Sequence, residues 1–166
     1  MAHLKTQYIK NMLEIAIWND MTQCTHAEVE RMISEGQSVT IPVKGFSMRP
    51  MMRSEKERVI LTAHSDNDIK QGAVMLFRHN GHHIMHRIIT IDGNDITFAG
   101  DGNYRIREQA TKDDIVAQVT AIIRPSGRVI SLDSRRWKIY STLWLALPKI
   151  VRRFILGLTN KLKLWI

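Results

Sequence analysis

The sequence predicts a mainly β protein, a compact antiparallel β-fold with two N-terminal helices and a C-terminal amphipathic helix. Three observations support this class. Six or seven short segments rich in β-branched residues follow one another between positions 37 and 134. Tight turn sequences join some of them, above all Asn80-Gly81, and such turns favour antiparallel hairpins. Helical spacing of apolar residues is confined to the two ends of the chain.

Length and composition indicate one domain with an appendage. The 166 residues are enough to bury a core, and the single cysteine, Cys24, excludes an internal disulfide. We predict an N-terminal helical segment over 1–36, a β-rich domain over 37–134 and a cationic amphipathic tail over 135–166.

The two N-terminal helices rest on different signals. The first is predicted over 3–18 because its apolar residues fall at helical spacing: Leu4, Tyr8, Ile9, Met12, Leu13 and Ile17. For the second, Thr25 and Glu28 form a capping box and Gly36 marks the end. Its apolar face consists of Val29, Met32 and Ile33.

The predicted strands follow in order. The first two are "SVTIPV" and "RVILTA", and the next two, "AVMLFRH" and "HHIMHRIITI", form the hairpin around Asn80-Gly81. The turn "DGND" leads into "ITFAG". The last long strand, "IVAQVTAIIR", ends before the turn Pro125-Ser126-Gly127, and "RVISL" follows.

The net charge of +8 lies entirely in the tail. Residues 135–166 hold eight basic and no acidic residues, so positions 1–134 keep 16 of the 24 basic residues and all 16 acidic ones. A nucleic-acid-binding protein usually carries its basic residues on the folded face. We therefore predict no nucleic-acid partner.

The tail has the composition of a helix that lies in a membrane interface. Three tryptophans (Trp137, Trp144 and Trp165) and other apolar residues alternate with Arg and Lys. Its longest uncharged run, 139–148, is too short to cross a bilayer, and no secretory signal peptide or transmembrane helix is predicted elsewhere. We expect peripheral attachment to a membrane, on the cytoplasmic side of an inner membrane, and a cytoplasmic location otherwise. The alternative is a helix packed on the protein's own body or on a partner.

Histidines cluster in "HNGHHIMH", residues 79–86. His79 and His82 flank the turn and should face each other across the hairpin. Strand alternation sends His83 to the opposite face, and a zinc site needs three or four converging ligands. We therefore predict no metal site and no cofactor.

A serine, a histidine and an aspartate in the predicted β-rich domain suggest a catalytic site. Ser47 lies in "GFSMRP" just after a predicted strand, His86 lies among aliphatic residues, and Asp101 follows a strand in "GDGN". A serine hydroxyl becomes a good nucleophile only beside a base, which a third group usually holds. Each residue also has an ordinary interpretation, namely a turn residue, a buried structural histidine and a solvated turn carboxylate.

In combination these motifs resemble the signal peptidase I superfamily of serine endopeptidases, in the branch that uses His as the base. The resemblance covers roughly 37–123. It consists of a G-x-S-M-x-P stretch, then "GAVMLFR", then His-Arg among aliphatic residues, then "F…GD-x-N". The matching residues are Gly45, Ser47, Met48, Pro50, Gly72, Phe77, His86, Arg87, Phe98, Gly100, Asp101 and Asn103.

The resemblance implies a role for each site residue. Ser47 would be the nucleophile and His86 the general base, with Asp101 as the third member and Glu108 as its alternative, since the acid of His-type members tends to follow the motif. The Ser47 backbone N–H would help to bind the oxyanion, and Gly45 and Met48 would line the oxyanion or substrate-binding site. A peptide substrate would bind as an extended strand, with "TIPVKG" and "GAVMLF" as walls.

The resemblance thus implies a serine endopeptidase that removes a leader or signal segment. A non-catalytic, membrane-docked peptide-binding module of the same fold is the alternative. A self-cleaving repressor domain shares the fold, but it needs a lysine base, and residue 86 is histidine. Most signal peptidases carry a transmembrane anchor before the serine, whereas two soluble-looking helices are predicted there in this chain.

Overall fold

One antiparallel sheet of eight strands organises the residues that the computed structural model describes, 25–103 and 105–162. The strand order is β1-β2-β7-β3-β4-β5-β6, and β8 pairs with β7. The strands are β1 (Val39–Pro42), β2 (Arg58–Thr62), β3 (Val74–His79), β4 (His82–Asp92), β5 (Asp95–Ala99), β6 (Glu108–Thr111), β7 (Ile115–Ile123) and β8 (Val129–Ser131).

The sheet curls into a half-barrel, so that β6 approaches β3 although β4 and β5 lie between them. Alternation along each strand separates two apolar clusters on the two faces. One cluster, around Phe77, Ile88 and Phe98, lies on the face that also carries His86. The other is larger and receives the helices.

Three helices pack around the sheet: α1 (His26–Ser34), α2 (Arg135–Ala146) and α3 (Lys149–Leu162). The capping box of α1 is present as predicted, with the Thr25 N–H donating to Glu28 over 2.7 Å. Buried Val29 and Ile33 of α1 enter the larger cluster.

The predicted mainly β, antiparallel class is confirmed, and each of the seven predicted segments contains a strand. β6 is the strand that the sequence analysis missed, because Glu-Gln-Ala-Thr is short and mostly polar and forms only by pairing with β5. The predicted helix over 3–18, Cys24 and Trp165 lie outside the described residues.

The C-terminal region forms two helices where the sequence analysis expected one. Leu147 takes an extended backbone conformation (φ −65°, ψ 136°) between them. The residue before a proline is sterically disfavoured in the helical region, so Pro148 ends α2 and α3 begins after it. Within the described residues, neither these helices nor α1 combine the length and hydropathy that a bilayer-spanning helix requires.

Candidate functional site

His86 owes its position to the central strand β4. It pairs with Met75 of β3 and is 5% exposed. A row of cross-strand neighbours, Ile88, Phe98 and Glu108, crosses β4, β5 and β6 on one face. Because side chains two residues apart in a strand share a face, His86 lies on the same face as this row and within reach of Glu108.

Glu108 fixes the orientation of the imidazole. Nδ1 of His86 donates to Oε2 of Glu108 over 2.9 Å, and both side chains are about nine-tenths buried. A carboxylate can only accept a hydrogen bond, so Nδ1 carries the proton and Nε2 of the neutral ring is left as the basic nitrogen. This is the arrangement that a general base requires.

Ser47 lies in the long connection between β1 and β2. Three buried methionines, Met48, Met51 and Met52, anchor this loop in the larger apolar cluster. At the far end of the loop, the fully buried Glu57 carboxylate accepts two hydrogen bonds from Arg53. One comes from the backbone N–H (2.9 Å) and the other from the side-chain Nε (2.7 Å). Ser47 itself is half-buried, on a loop held at both ends.

Gly100 is the point at which Ser47 and His86 meet. A Cβ at this glycine would lie 2.9 Å from Cβ of Ser47 and 3.0 Å from Nε2 of His86. These two atoms are therefore no farther apart than about 6 Å, the sum of the two distances. The basic nitrogen of His86 thus lies on the side of the ring that faces Ser47, opposite Glu108.

The turn that contains Gly100 packs tightly against the Ser47 loop. The Gly102 N–H donates to the Ser47 carbonyl over 2.7 Å, and a Cβ at Gly102 would lie 2.9 Å from the Arg49 carbonyl. Close backbone approach explains why both positions hold glycine.

Asp101 does not contact His86, as a third catalytic member should, but pairs with Arg87. Its two carboxylate oxygens accept from Nε and Nη2 of Arg87 over 2.8 and 2.7 Å. Arg87 follows His86 in β4, so it points to the opposite face of the sheet. The acid that contacts His86 is Glu108, the second choice of the sequence analysis.

Two residues of α2 complete this buried network, and the sequence analysis did not identify either contact. Arg87 Nη1 donates to Ser141 Oγ over 2.6 Å, and Trp144 Nε1 donates to the Asp101 carbonyl over 3.2 Å. A fully buried arginine needs several acceptors, so the Arg in the apolar run "IMHRII" was a usable signal that partners existed. Their identity was not readable from the chain.

Gly45 and Met48 flank the serine in different ways. Gly45 is exposed and has a φ of 80°, a conformation that favours glycine, whereas Met48 is buried under the loop. Within the described residues, no protein group accepts a hydrogen bond from the Ser47 N–H.

The remaining histidines surround the hairpin tip. His79 and His82 are direct cross-strand partners, as expected. His83 points to the other face, where its Nε2 donates to Glu30 of α1 over 2.6 Å. Among the described residues, no group of three His, Cys, Asp or Glu side chains converges as metal ligands would.

The two predicted walls of a peptide-binding groove differ in their available edges. β1, which contains most of "TIPVKG", ends the sheet and in the described part of the chain pairs only with β2. β3, from "GAVMLF", lies between β4 and β7 and has no free edge. Of these two walls, β1 alone has an edge in the described part of the chain that an added strand can pair with, and the chain runs from β1 directly into the Ser47 loop.

Comparisons with known proteins give no further guide to this site. No protein-family model matches the chain, and no curated protein is significantly similar to it.

Proposed function

We propose that the chain is a serine endopeptidase of the signal-peptidase type, which removes a leader or signal segment from a peptide. The observation that carries the proposal is the approach of Ser47 and His86 around Gly100, with Glu108 bound to the far side of the imidazole. Nucleophile, base and orienting acid thus follow one another in the order that acyl transfer requires.

Ser47 Oγ attacks the carbonyl carbon of the scissile peptide bond while His86 Nε2 takes its proton. The Glu108 carboxylate stabilises the imidazolium that forms and keeps the ring in place. His86 then returns the proton to the leaving amine, which departs and leaves the acyl group on Ser47. A water molecule, deprotonated by His86, hydrolyses this ester and regenerates the serine.

The Ser47 N–H supports this assignment because no described protein group accepts its hydrogen bond, and an oxyanion donor must be unpaired before the substrate binds. The free edge of β1 supports an extended peptide substrate, which would add as a further antiparallel or parallel strand and continue toward Ser47. Phe46, 64% exposed beside the serine, gives this entrance an apolar side chain that a leader segment can contact.

Asp101 has a supporting role in this proposal. It holds the 100–102 turn to the sheet through Arg87, and the turn in turn contacts the Ser47 loop. The third catalytic member is Glu108.

The test is peptide hydrolysis by the full chain, in detergent and in the presence of vesicles, with a panel of leader peptides. Ser47→Ala and His86→Ala should each lower kcat by at least about a thousandfold, because the members of such a site act as a unit. His82→Ala and Ser126→Ala are matched controls, since both residues are exposed and lie outside the site. They should keep wild-type activity.

The peptide-binding module is the competing proposal, and the free edge of β1 favours it equally. Equal activity in all variants, or none in any against the whole panel, would support the module. In that case leader peptides should still bind, and Ser47→Ala should bind them as tightly as the wild type.

A further inference from the structure

The exposed apolar side chains of the protein are concentrated on its C-terminal helices. Among the described residues, ten large hydrophobic side chains are exposed, and seven of them lie on α2 and α3. We call these seven the outer face: Ile139, Tyr140, Leu143, Ile150, Val151, Phe154 and Leu158. Ile150 is 83% exposed and Phe154 is 71% exposed, one helical turn apart. A concentration of exposed apolar side chains of this kind marks a contact with a partner or a membrane.

The opposite side of α2 is already occupied. Trp137, Ser141 and Trp144 recur at helical spacing and are buried against the sheet. Ser141 and Trp144 are bound to Arg87 and to the Asp101 carbonyl, respectively. α2 is therefore fixed to the body, and its outer face is not a surface that folds back on the protein.

The angle between α2 and α3 is also supported by specific contacts. Arg152 of α3 donates through Nε to the Leu147 carbonyl over 3.0 Å and through Nη2 to the Leu145 carbonyl. Its guanidinium lies 5.8 Å from the centre of the Trp144 ring. These contacts fix the start of α3 to the end of α2.

The charged side chains on α2 and α3 are of one sign, and the Asp133 carboxylate that lies 3.4 Å from Lys138 belongs to the segment before α2. Outside the last turns of α3, the two helices contain Arg135, Arg136, Lys138, Lys149, Arg152 and Arg153, and no acidic residue. A surface that joins exposed apolar side chains to cations is complementary to an anionic lipid surface, which attracts Lys and Arg side chains near it.

We propose that the outer face of α2 and α3 docks on an anionic bilayer surface, with Ile150 and Phe154 inserted at the level of the headgroups. The inference does not depend on the peptidase proposal. A second copy of the chain is a poorer occupant, because a two-fold interface would place two acid-free cationic faces against each other.

The test is flotation of the full chain with phosphatidylcholine vesicles that contain phosphatidylglycerol, and with vesicles of phosphatidylcholine alone. The wild type should bind the anionic vesicles and lose affinity with added salt. Phe154→Glu should weaken this binding by about tenfold or more, since it removes an inserted ring and adds a repelled charge. Ile91→Glu, an exposed aliphatic position on β4, should bind as the wild type does.

A second pair of variants separates charge from apolar contact. Arg153→Glu and Arg128→Glu change the net charge equally, and both residues are exposed, but only Arg153 lies on the C-terminal helices. Arg153→Glu should weaken binding to anionic vesicles more than Arg128→Glu does.

Three results would overturn the proposal: no binding of the wild type, equal binding to both kinds of vesicle, or equal binding of Phe154→Glu and the wild type. A dimer in sedimentation equilibrium that Phe154→Glu dissociates, without vesicle binding, would instead assign the outer face to a second copy. Because Phe154 is exposed, its replacement should leave the circular dichroism spectrum and Tm unchanged. A change in vesicle binding or in dimerisation can then be assigned to the outer face and not to unfolding.

Discussion

Arg87 and Asp101 form a bidentate ion pair inside the protein, with hydrogen bonds of 2.8 and 2.7 Å and side-chain exposures of 0% and 2%. The pair joins the centre of the sheet to the turn that packs on the Ser47 loop. Through Ser141, the same guanidinium reaches α2. The buried Arg87 guanidinium thus connects the candidate site to α2, one of the two helices that carry the outer face.

The first prediction concerns the stability that this pair provides. Asp101→Asn should lower the free energy of unfolding by about 3–5 kcal/mol, because it leaves a buried guanidinium without its compensating charge. Urea unfolding followed by circular dichroism measures the change. Asp133→Asn is the control: its pair with Lys138 is long (3.4 Å) and exposed, so its loss should cost less than about 1 kcal/mol.

A loss below about 1 kcal/mol in Asp101→Asn would show that the buried charge finds other compensation. Replacing both Arg87 and Asp101 shows whether an uncompensated Arg87 charge is the cause of the lost stability. Arg87→Met combined with Asp101→Leu should be more stable than Asp101→Asn alone, since no uncompensated charge is then buried.

The second prediction assigns the third member of the site. Glu108→Gln should lower kcat by about three orders of magnitude with little effect on KM, because the amide can no longer fix the tautomer of His86 or stabilise its protonated form. Steady-state hydrolysis of a leader peptide that the wild type cleaves provides the measurement.

Asp101→Asn serves as the comparison for Glu108→Gln. At a temperature where both variants are folded, Asp101→Asn should retain far more activity, since Asp101 contacts Arg87 and not the imidazole. The reverse order of activities would make Asp101 the third member and would contradict the assignment from geometry.

Most of the fold could be predicted from local signals. Asn80 and Gly81 both have positive φ (50° and 76°), and the strands on either side pair as the turn sequence indicates. Thr25 and Glu28 likewise form the capping box that their spacing predicts. In each case the information lies within a few residues. β6 lacks such a signal because its stability comes from the register with β5.

The site could be predicted only in part, for the same reason. Ser47 and His86 were predicted together from residue patterns, and the fold brings Cβ of Ser47 within about 6 Å of Nε2 of His86. The choice between Asp101 and Glu108 depends on which face of the sheet each carboxylate occupies. That choice follows from the long-range pairing of β4, β5 and β6, which residue patterns do not reveal.

The third prediction tests the close approach at Gly100. Gly100→Ala would place a methyl group 2.5 Å from the Ser47 carbonyl oxygen and 3.0 Å from His86 Nε2, so the loop or the ring must move. We expect a loss of about 1–3 kcal/mol in stability from overpacking. Activity should fall by about a hundredfold, since small misplacements of reacting groups are costly.

Gly157→Ala is the matched control for this substitution. Gly157 lies in α3, has no positive φ, and has no atom within 4 Å of an added Cβ. Alanine there should leave activity unchanged and stabilise the helix slightly. If Gly100→Ala also keeps full activity, the approach of the turn to Ser47 is not needed for catalysis.

The last prediction concerns the contact between α1 and the β3–β4 hairpin. Glu30 accepts hydrogen bonds from His83 Nε2 (2.6 Å) and Arg78 Nε (2.9 Å), and the His26 ring lies 4.5 Å from that of His83. The hydrogen bond from His83, followed by the contacts with Arg78, lowers the pKa of Glu30 below its ordinary value of 4.5. The folded state therefore favours the ionised carboxylate.

A carboxyl group whose pKa is lowered on folding stabilises the protein above its unfolded pKa, and this contribution is lost as the pH falls through the folded value. Glu30→Gln should thus be less stable than the wild type near neutral pH, by at most about 1 kcal/mol because solvent screens the contact. The difference should shrink as the pH falls below 4.5. Urea unfolding midpoints of both proteins across this range provide the measurement, with Glu55→Gln, at an exposed carboxylate outside this contact, as the control for removing one charge. A difference that stays constant or grows in acid would mean that the ionised Glu30 carboxylate does not hold α1 to the hairpin.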